Sequence, residues 1–230
     1  MLNIVLTGCS SGIGLAILDN LTKTNFVYAI GRKDPKTTSK NYKFIKCDLN
    51  NIEKLNAKLS KIKKADVLIN NSASTALDKE KIKNFKKILN LNLVVPYILS
   101  EKLKNKLLKS KNASIINICS INSYQAFPNN PGYVSSKGGL LSLTRALALD
   151  YASYKIRVNS ISPGYIRTSM TAKSYNKKVE NRKRLSRMLI KRWGKPEDIV
   201  GLVEYLISNK SSYVTGQDFV VDGGWLAKGL

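Results

Sequence analysis

The 230-residue sequence contains no histidine. This absence excludes Ser-His-Asp and Cys-His nucleophile systems, imidazole general bases and metal sites with histidine ligands. Proton transfer near neutral pH must therefore fall to carboxylates, lysine, cysteine or tyrosine. Any acid or base in a catalytic site of this chain is therefore expected to be one of those residue types.

Cysteine is scarce, with three residues at Cys9, Cys47 and Cys119, and no pair of them has CxxC spacing. Neither a disulfide framework nor a zinc site is expected from three cysteines at these distances. We expect each of them to be a small buried apolar side chain. Beyond the positions of Cys9 and Cys119 next to other motifs, nothing in the sequence supports a redox role.

The sequence also lacks a run of about 18 apolar residues and a basic stretch at its N-terminus. The first absence argues against a membrane-spanning helix, and the second argues against a secretory signal peptide. We therefore expect a cytoplasmic protein that does not enter a membrane.

Acidic residues are few, since 15 Asp and Glu stand against 39 Lys and Arg, which gives a formal charge of +24. Lysines outnumber arginines 31 to 8, occur on almost every predicted helix and are accompanied by 22 asparagines. Nucleic-acid sites instead concentrate charge on one face and use arginine for bidentate contacts. The pattern is typical of a composition bias, so attraction to an acidic partner is favoured over nucleic-acid binding.

Short apolar runs alternate with amphipathic stretches along the chain. The runs predict buried parallel strands because both faces are apolar; they span residues 2–6, 26–30, 43–47, 66–69, 114–119, 157–161 and 218–221. The stretches predict helices at residues 12–23, 52–63, 80–109, 133–151 and 196–208. This alternation predicts a single α/β domain over residues 1–230, with a Rossmann-type doubly wound parallel sheet of about seven strands and helices on both faces.

Residues 167–192 interrupt this alternation because they are polar, rich in Lys and Arg, and only weakly helical in pattern. Loops at the carboxyl edge of a parallel sheet bind ligands, so this segment is a candidate substrate lid. A solvated surface insertion is an equally good interpretation of the same composition.

A glycine-rich turn, Thr7-Gly8-Cys9-Ser10-Ser11-Gly12-Ile13-Gly14, lies directly between the first predicted strand and the first predicted helix. Gly8 permits the tight turn, Gly12 lets the backbone approach a pyrophosphate, and Gly14 lets helix and strand pack closely. Free N–H groups at the helix N-terminus then form a seat for an anion. Because any tight βα turn can use glycine, it is the context on both sides that favours phosphate binding here.

The Gly-xxx-Gly-x-Gly spacing of this turn resembles the TGxxxGxG motif of the short-chain dehydrogenase/reductase family. Five further matches follow in order along nearly the whole chain. They are Asn70-Asn71-Ser72-Ala73 for the family's Asn-Asn-Ala-Gly, Asn92 for its helix asparagine, Ser120 and Tyr133-Val-Ser-Ser-Lys137 for its serine and Tyr-xxx-Lys, and Pro163-Gly164 followed by Arg167-Thr168 for its later Pro-Gly turn.

The resemblance implies a catalytic set made of Asn92, Ser120, Tyr133 and Lys137. In the family the serine polarises the substrate oxygen, and the asparagine holds a water that relays protons to the lysine, which also binds the cofactor ribose. Asn90 competes with Asn92 by composition, but the spacing to Ser120 favours Asn92.

The Tyr133–Lys137 pair can also be interpreted from its residues alone. Four positions apart on one helix face, the two side chains have Cβ atoms about 5–6 Å apart. We expect the ammonium, together with a bound cationic nicotinamide, to lower the pKa of the phenol from its usual value near 10. Tyr133 then exchanges a proton with a carbonyl or carbinol oxygen.

A nicotinamide dinucleotide is the cofactor that the resemblance implies. Asp48, interpreted as the end of the third strand, would meet the adenine, and Asn71 would line the ribose side. The full set of residues expected to bind the cofactor is Gly8, Ser10, Ser11, Gly12, Ile13, Gly14, Arg32, Lys33, Asp48, Leu49, Asn71, Tyr133, Lys137, Pro163, Gly164, Ile166 and Thr168.

The second predicted strand indicates which dinucleotide is used. No acid stands at residues 29–33, and Asp34 comes later, just before Pro35. NAD enzymes place a carboxylate at this edge, whereas Arg32 offers a planar fork suited to a 2′-phosphate and Lys33 adds a second charge. We therefore expect NADP(H) in preference to NAD(H), although two solvated basic residues would give the same pattern.

The ending at residues 213–224 is similar to the endings of 3-oxoacyl-carrier-protein reductases and of sugar or polyol dehydrogenases. The basic surface would suit an acidic carrier protein and so favours a 3-oxoacyl thioester over a small sugar. A dinucleotide-sensing regulatory protein without catalytic activity is the alternative from another class, and the intact Ser120, Tyr133 and Lys137 argue against it.

Two departures from the family pattern concern the cofactor cleft. Ser72-Ala73 replaces Ala-Gly, and residues 33–42 are too few for the usual helix.

Apolar residues in the helix 80–109 and in residues 213–230 exceed what one domain is expected to bury, which predicts a symmetric dimer or tetramer. These residues are Leu89, Leu93, Ile98, Phe219, Trp225 and Leu226.

Overall fold

The structure is a computed structural model that describes residues 1–75 and 81–228. Its strands form one parallel sheet in the order β3-β2-β1-β4-β5-β6-β7. They are β1 (Asn3–Thr7), β2 (Phe26–Gly31), β3 (Tyr42–Lys46), β4 (Val67–Asn70), β5 (Ser114–Ile118), β6 (Arg157–Pro163) and β7 (Asp218–Val221). Each predicted strand is found within two residues of its expected bounds, and the predicted fold class is confirmed.

Helices cover both faces of this sheet. They are α1 (Gly12–Leu21), α2 (Ile52–Leu59), α3 (Lys81–Leu89), α4 (Val95–Leu107), α5 (Pro131–Tyr151), α6 (Ala172–Asn176), α7 (Lys178–Arg187) and α8 (Glu197–Ile207). Residues 32–41 form no helix, as the short connection between β2 and β3 predicted. Among the described residues, no helix combines the length and the apolar composition needed to cross a membrane.

The helix predicted over residues 80–109 is divided in two. A π-helical turn at Asn90–Val94 separates α3 from α4, and residue 80 lies outside the described residues. The N–H of Val95 donates to the carbonyl of Asn90, five residues back, directly before Pro96 in the first turn of α4. Proline has no N–H to donate, so the regular hydrogen bonds of a helix are interrupted at Pro96. The widened π-helical turn lies directly before this interruption, and one continuous helix, as the sequence predicted, is therefore not formed.

The 167–192 segment contains more helix than its weak helical pattern predicted. It contains α6 and α7, and α7 is ten residues long. Neither helix has a fully buried residue, so both lie on the surface next to the carboxyl end of β6.

The core consists of two apolar layers, one on each face of the sheet. Ile4 and Leu6 of β1 point into the layer that α1 and α8 cover, whereas Val5 points into the layer covered by α2, α4 and α5. Every residue of β4, β5 and β6 is buried, as expected for parallel strands that helices cover on both faces. All three cysteines are free and buried, as predicted.

The position of the cleft follows from the strand order. β1 lies between β2 and β4, so the chain turns to opposite sides of the sheet after β1 and after β4. Ligands of open α/β sheets bind at the carboxyl ends of the strands at this point. The glycine-rich turn after β1 and the Asn70-Asn71 segment of β4 meet there.

Gly14 of α1 sets how closely these two segments approach. A Cβ atom at this position would lie 2.1 Å from the Gly8 carbonyl oxygen and 2.4 Å from the Asn71 amide nitrogen. Gly201, in the middle of α8, has no atom within 4 Å of the equivalent position.

We predict opposite effects for alanine at these two helical glycines. Gly14→Ala should destabilise the protein by at least about 1–3 kcal/mol because backbone atoms cannot yield to the new methyl group. Gly201→Ala should stabilise it by about 0.5–1 kcal/mol through the lower entropy of its unfolded chain. Urea unfolding of both variants and the parent measures the difference, and a Gly14→Ala variant as stable as the parent would contradict the close approach.

Candidate functional site

Two glycines of the turn after β1 have left-handed backbone conformations. Gly8 has φ +70° and Gly12 has φ +56°. A Cβ atom at Gly8 would lie 2.8 Å from Ser72 Cα, and one at Gly12 would lie 3.0 Å from Thr168 Cγ2. Thr168 therefore lies against the glycine-rich turn, although 156 positions separate it from Gly12 in the sequence.

Side chains of Thr7 and Asn71 fix this turn to the end of β4. The Thr7 hydroxyl accepts hydrogen bonds from the backbone N–H groups of Asn71 and Ser72, both at 3.1 Å. The Asn71 amide donates to the carbonyls of Gly8 at 2.8 Å and of Thr7 at 3.1 Å. Asn71 therefore shapes the turn itself, and its expected position on the ribose side of a cofactor stays a prediction.

The N-terminus of α1 is free to receive an anion. Ser11 is the N-cap residue with an extended backbone, its side chain forms no capping hydrogen bond, and the first turn carries no acidic residue. Ser10 and Ser11 are exposed, whereas Ile13 is half-buried. Unpaired N–H groups and the helix dipole favour a phosphate here, so the turn fits a dinucleotide pyrophosphate.

Ser120 lies just beyond the carboxyl end of β5 and is 8% exposed. Its hydroxyl accepts a hydrogen bond from the Asn122 N–H at 3.1 Å and thereby caps the short 3₁₀ turn Ile121–Ser123. The same hydroxyl interacts with the Tyr133 phenol. Ser120 therefore caps this turn and also interacts with Tyr133.

Lys137 is buried four residues after Tyr133 on α5. Its ammonium donates a 2.6 Å hydrogen bond to the Ile118 carbonyl, at the end of β5, and lies 5.7 Å from the centre of the Tyr133 ring. No carboxylate is among its hydrogen-bond partners in the described part of the chain. Burial lowers the pKa of Lys137 to about 8.

The pKa of Tyr133 differs from the expectation. Desolvation raises it above its usual value of 10, and the interaction with the Ser120 hydroxyl only partly opposes this effect. The Lys137 ammonium is directed at the Ile118 carbonyl instead of the phenol, so the predicted lowering by Lys137 is wrong for the protein without a bound cofactor. Tyr133 keeps its proton at neutral pH, which is the form that donates to a carbonyl oxygen.

Asn92 is fully buried in the π-helical turn. Its side-chain oxygen accepts from the Ser74 N–H at 2.9 Å, and its amide donates at 3.0 Å to the Ser74 carbonyl and the Ser136 hydroxyl. Asn92 therefore joins the chain after β4 to α5, one residue before Lys137. Asn90 instead donates to Asn50 on the surface, and the water relay expected through Asn92 stays a prediction.

Asn117 also positions α5, and sequence analysis did not identify it. Asn117 of β5 accepts a hydrogen bond from Asn70 at 2.8 Å and donates to Thr144 of α5 at 2.9 Å. All three side chains are buried. The signal available in the sequence was an asparagine inside an otherwise apolar strand, where an amide needs buried partners.

Residues around the second and third strands are mostly exposed. Arg32 and Lys33 are exposed, as is Asp48, whereas Leu49 is buried. Asp48 does not end β3, because pairing stops at Lys46 and the Asp48 carboxylate instead accepts a hydrogen bond from the Asn50 N–H in a turn.

Asp34 is an acidic group near this edge that sequence analysis set aside. Its carboxylate accepts a hydrogen bond from the Tyr42 hydroxyl at 3.2 Å, and it adds to the raised pKa of Cys9 in the glycine-rich turn. The connection without a helix after β2 thus brings Asp34 close to the turn, in addition to Arg32 and Lys33.

The residues after β6 complete the edge of the cleft. Pro163 ends this strand, and a Cβ atom at Gly164 would lie 2.7 Å from Asp222 Cα, so glycine permits close packing against the chain after β7. Ile166 is buried beside Gly194, and Thr168 lies on Gly12. The glycine-rich turn, Asn71, Ser120 and the residues after Pro163 follow β1, β4, β5 and β6, so they lie at the same carboxyl edge of the sheet.

Comparison with known proteins agrees with this geometry. A family model described as Enoyl-(Acyl carrier protein) reductase matches residues 8–226. The 3-oxoacyl-(acyl-carrier-protein) reductase of Rickettsia typhi is 34% identical over 96% of this chain and 95% of its own length.

Two solved structures have nearly the same backbone. One is a 4-hydroxyisoleucine dehydrogenase complexed with NADH, with a TM-score of 0.91 and 34% identity over 99% of both chains. The other is a putative NAD(P)-dependent gluconate 5-dehydrogenase from Beutenbergia cavernae with bound NADP at low occupancy. It has a TM-score of 0.91 and 32% identity over 98% of this chain and 96% of that one.

These matches extend over nearly the whole chain, and they agree with a glycine-rich turn, a serine and a Tyr-xxx-Lys pair that meet at one sheet edge. The chain is an oxidoreductase that belongs to the short-chain dehydrogenase/reductase family.

Proposed function

We propose that this enzyme transfers hydride between NADP(H) and a carbonyl or secondary alcohol, with a 3-oxoacyl thioester as the first substrate class. The observation that carries the proposal is the convergence of Ser120, Tyr133 and Lys137 beside an anion seat that fits a dinucleotide. The Rickettsia typhi relative is named as a 3-oxoacyl reductase. The basic surface of this chain suits an acidic carrier protein.

The roles of the chain's own groups follow from their hydrogen bonds. The bound cofactor supplies or accepts the hydride at its nicotinamide. Ser120 holds the substrate oxygen, and Tyr133, which keeps its proton at neutral pH, donates that proton to the oxygen during reduction. Lys137 is held in place by the Ile118 carbonyl, and as a cation it favours the phenolate that remains.

A sugar or polyol dehydrogenase is the second candidate function. It is favoured by the likeness to the putative gluconate 5-dehydrogenase of Beutenbergia cavernae. A regulatory protein that only senses a dinucleotide is disfavoured, because its function would not need the buried Lys137 or the Ser120–Tyr133 contact. Oxidation of NADPH, followed at 340 nm with acetoacetyl-coenzyme A, keto-sugars and small ketones, separates the two catalytic candidates.

We predict that Tyr133→Phe preserves cofactor binding but lowers turnover by a factor of roughly 10² or more, because the ring remains and the proton donor is lost. Tyr213→Phe is the matched control, since Tyr213 is fully exposed and should tolerate the change. Steady-state rates with the best substrate of the screen measure the effect. Turnover of Tyr133→Phe within about threefold of the parent would disprove the role of Tyr133.

We predict a preference for NADPH over NADH of roughly ten- to a hundredfold in kcat/KM. The reason is that charge-assisted hydrogen bonds from Arg32 are worth about 1.5–3 kcal/mol each, with Lys33 adding charge. Arg32→Asp should erase or reverse the preference, and Asp34→Asn should increase it by removing the carboxylate held by Tyr42. Equal kcat/KM values for the two cofactors in the parent enzyme would show that Arg32 does not discriminate between them.

We also propose a symmetric dimer or tetramer. Val94, the last residue of the π-helical turn, is 41% exposed, Tyr97 of α4 is 48% exposed, and Val220 of β7 is 42% exposed. Of the six residues expected to contribute, Trp225 is buried within the chain against Ile121 and Met188, and the other five are half-buried.

Light scattering at micromolar concentration should therefore give two or four times the chain mass of 25.6 kDa. Tyr97→Glu should shift the distribution to smaller species, because it places a charge on the exposed face of α4. A parent protein that stays a monomer under these conditions would contradict the proposed assembly.

A further inference from the structure

The 167–192 segment is more basic than the rest of the chain. It holds ten of the 39 lysines and arginines, five of the eight arginines, and one acidic residue, Glu180. Arginine presents a rigid fork of N–H groups that binds carboxylates and phosphates through two hydrogen bonds. Elsewhere in the chain the positive charge is almost entirely lysine, so the arginines concentrate where a substrate would approach.

Three of these arginines are held on aromatic rings. Tyr175, Trp193, Tyr165 and Trp225 form a row of edge contacts with ring centres 5.4, 5.4 and 4.7 Å apart. The guanidinium carbons of Arg167, Arg184 and Arg187 lie 4.0, 4.9 and 4.6 Å from the ring centres of Tyr175, Tyr165 and Trp225. Stacking on a ring orients a guanidinium and leaves its edge N–H groups available.

Ion pairing distinguishes the three arginines. Arg184 pairs with Glu180 at 3.3 Å, and because Lys177 shares that carboxylate at 3.1 Å, the charge of Arg184 is balanced in part. Within residues 1–75 and 81–228, Arg167 and Arg187 make no ion pair and no side-chain hydrogen bond. Both side chains therefore keep a positive charge that the protein itself does not balance.

A cavity of about 340 Å³ is lined by Arg167 but not by Arg187. Its lining consists of Arg167, Thr168, Ser169, Ala172, Tyr175 and Asn176. Arg167 is the one cation of this lining, and the hydroxyl and amide groups around it are suitable partners for oxygen atoms. Arg187 does not line the cavity, although it has the same kind of ring contact.

Contacts at both ends connect the 167–192 segment to the glycine-rich turn and to the residue that follows Ser120. Thr168, which lines the cavity, lies on Gly12 of the glycine-rich turn. At the other end, Met188 packs with Trp225 against Ile121, the residue after Ser120. The cavity thus opens at the same edge of the sheet as the proposed hydride-transfer site.

We propose that Arg167 binds a carboxylate or phosphate group carried by the substrate, so that the substrate class of this enzyme is an anionic carbonyl compound or the corresponding alcohol. This inference rests on the proposed function for the reaction, and it adds the charged group that the substrate must carry. The phosphates of the dinucleotide offer the same chemistry, and the experiment separates the two sources.

Succinate and inorganic phosphate are the probes, and succinamide is the uncharged counterpart of succinate. Each is titrated calorimetrically into the protein saturated with NADPH, at constant ionic strength set by chloride. We expect saturable binding of at least one anion and none of succinamide. Arg167→Gln should weaken that binding roughly ten- to a hundredfold, whereas Arg187→Gln should change it by less than about threefold.

Several outcomes would overturn the anion site. These are the absence of saturable binding, equal losses in Arg167→Gln and Arg187→Gln, or no loss in Arg167→Gln. A fall in NADPH affinity in Arg167→Gln with unchanged succinate binding would assign the guanidinium to the cofactor. Tyr175→Leu, which removes the ring under Arg167, should weaken anion binding without changing the thermal stability by more than a few degrees.

The titration requires no turnover, so its result is independent of the proposed reaction. Saturable anion binding by a parent protein that shows no measurable turnover on any carbonyl substrate would overturn the proposed function alone. Normal turnover with acetoacetyl-coenzyme A and no anion binding would overturn the Arg167 site alone.

Discussion

The buried Lys137 ammonium and the Ile118 carbonyl form the interaction on which the catalytic geometry depends. Burying a cation without a carboxylate partner is unfavourable, and the pKa of Lys137 falls to about 8 as a result. The 2.6 Å hydrogen bond to the last residue of β5 compensates in part and fixes α5 against that strand. Because Tyr133 precedes Lys137 by one helical turn and Ser120 follows Ile118 by two residues, the same bond sets the distance between phenol and hydroxyl.

A second constraint acts on the cofactor side, where backbone approaches backbone. Gly14 lies so close to the Gly8 carbonyl that no side chain fits, and the Asn71 amide occupies the remaining space. The Thr7 hydroxyl then joins the end of β1 to the chain after β4. The Thr7 hydroxyl and the Asn71 amide are thus already hydrogen-bonded to the protein backbone. These hydrogen bonds set the shape of the anion seat before any ligand binds.

The sequence predicted the fold and the identity of the main site residues because both depend on local patterns. Apolar runs that are buried on both faces identified the strands, and the glycine spacing identified the turn. It did not predict the π-helical turn before Pro96, the buried Asn70–Asn117–Thr144 bonds or the approach of Asp34 to the glycine-rich turn. Each of these depends on contacts between segments distant in sequence, or on backbone hydrogen bonds that periodicity does not reveal.

The raised pKa of Tyr133 shows why proximity in sequence is an insufficient guide to electrostatics. Four-residue spacing brought the ammonium to 5.7 Å from the ring, as expected for one helix face, but the side chain turned to the Ile118 carbonyl. Desolvation is then the largest influence on the pKa of the Tyr133 phenol, which stays protonated at neutral pH. A group that must give up a proton during reduction is thereby stored in the protonated form, and the positive charge that develops on the cofactor during reduction favours loss of that proton. The protein without ligands is thus prepared for carbonyl reduction, and the reverse reaction requires the bound cationic nicotinamide.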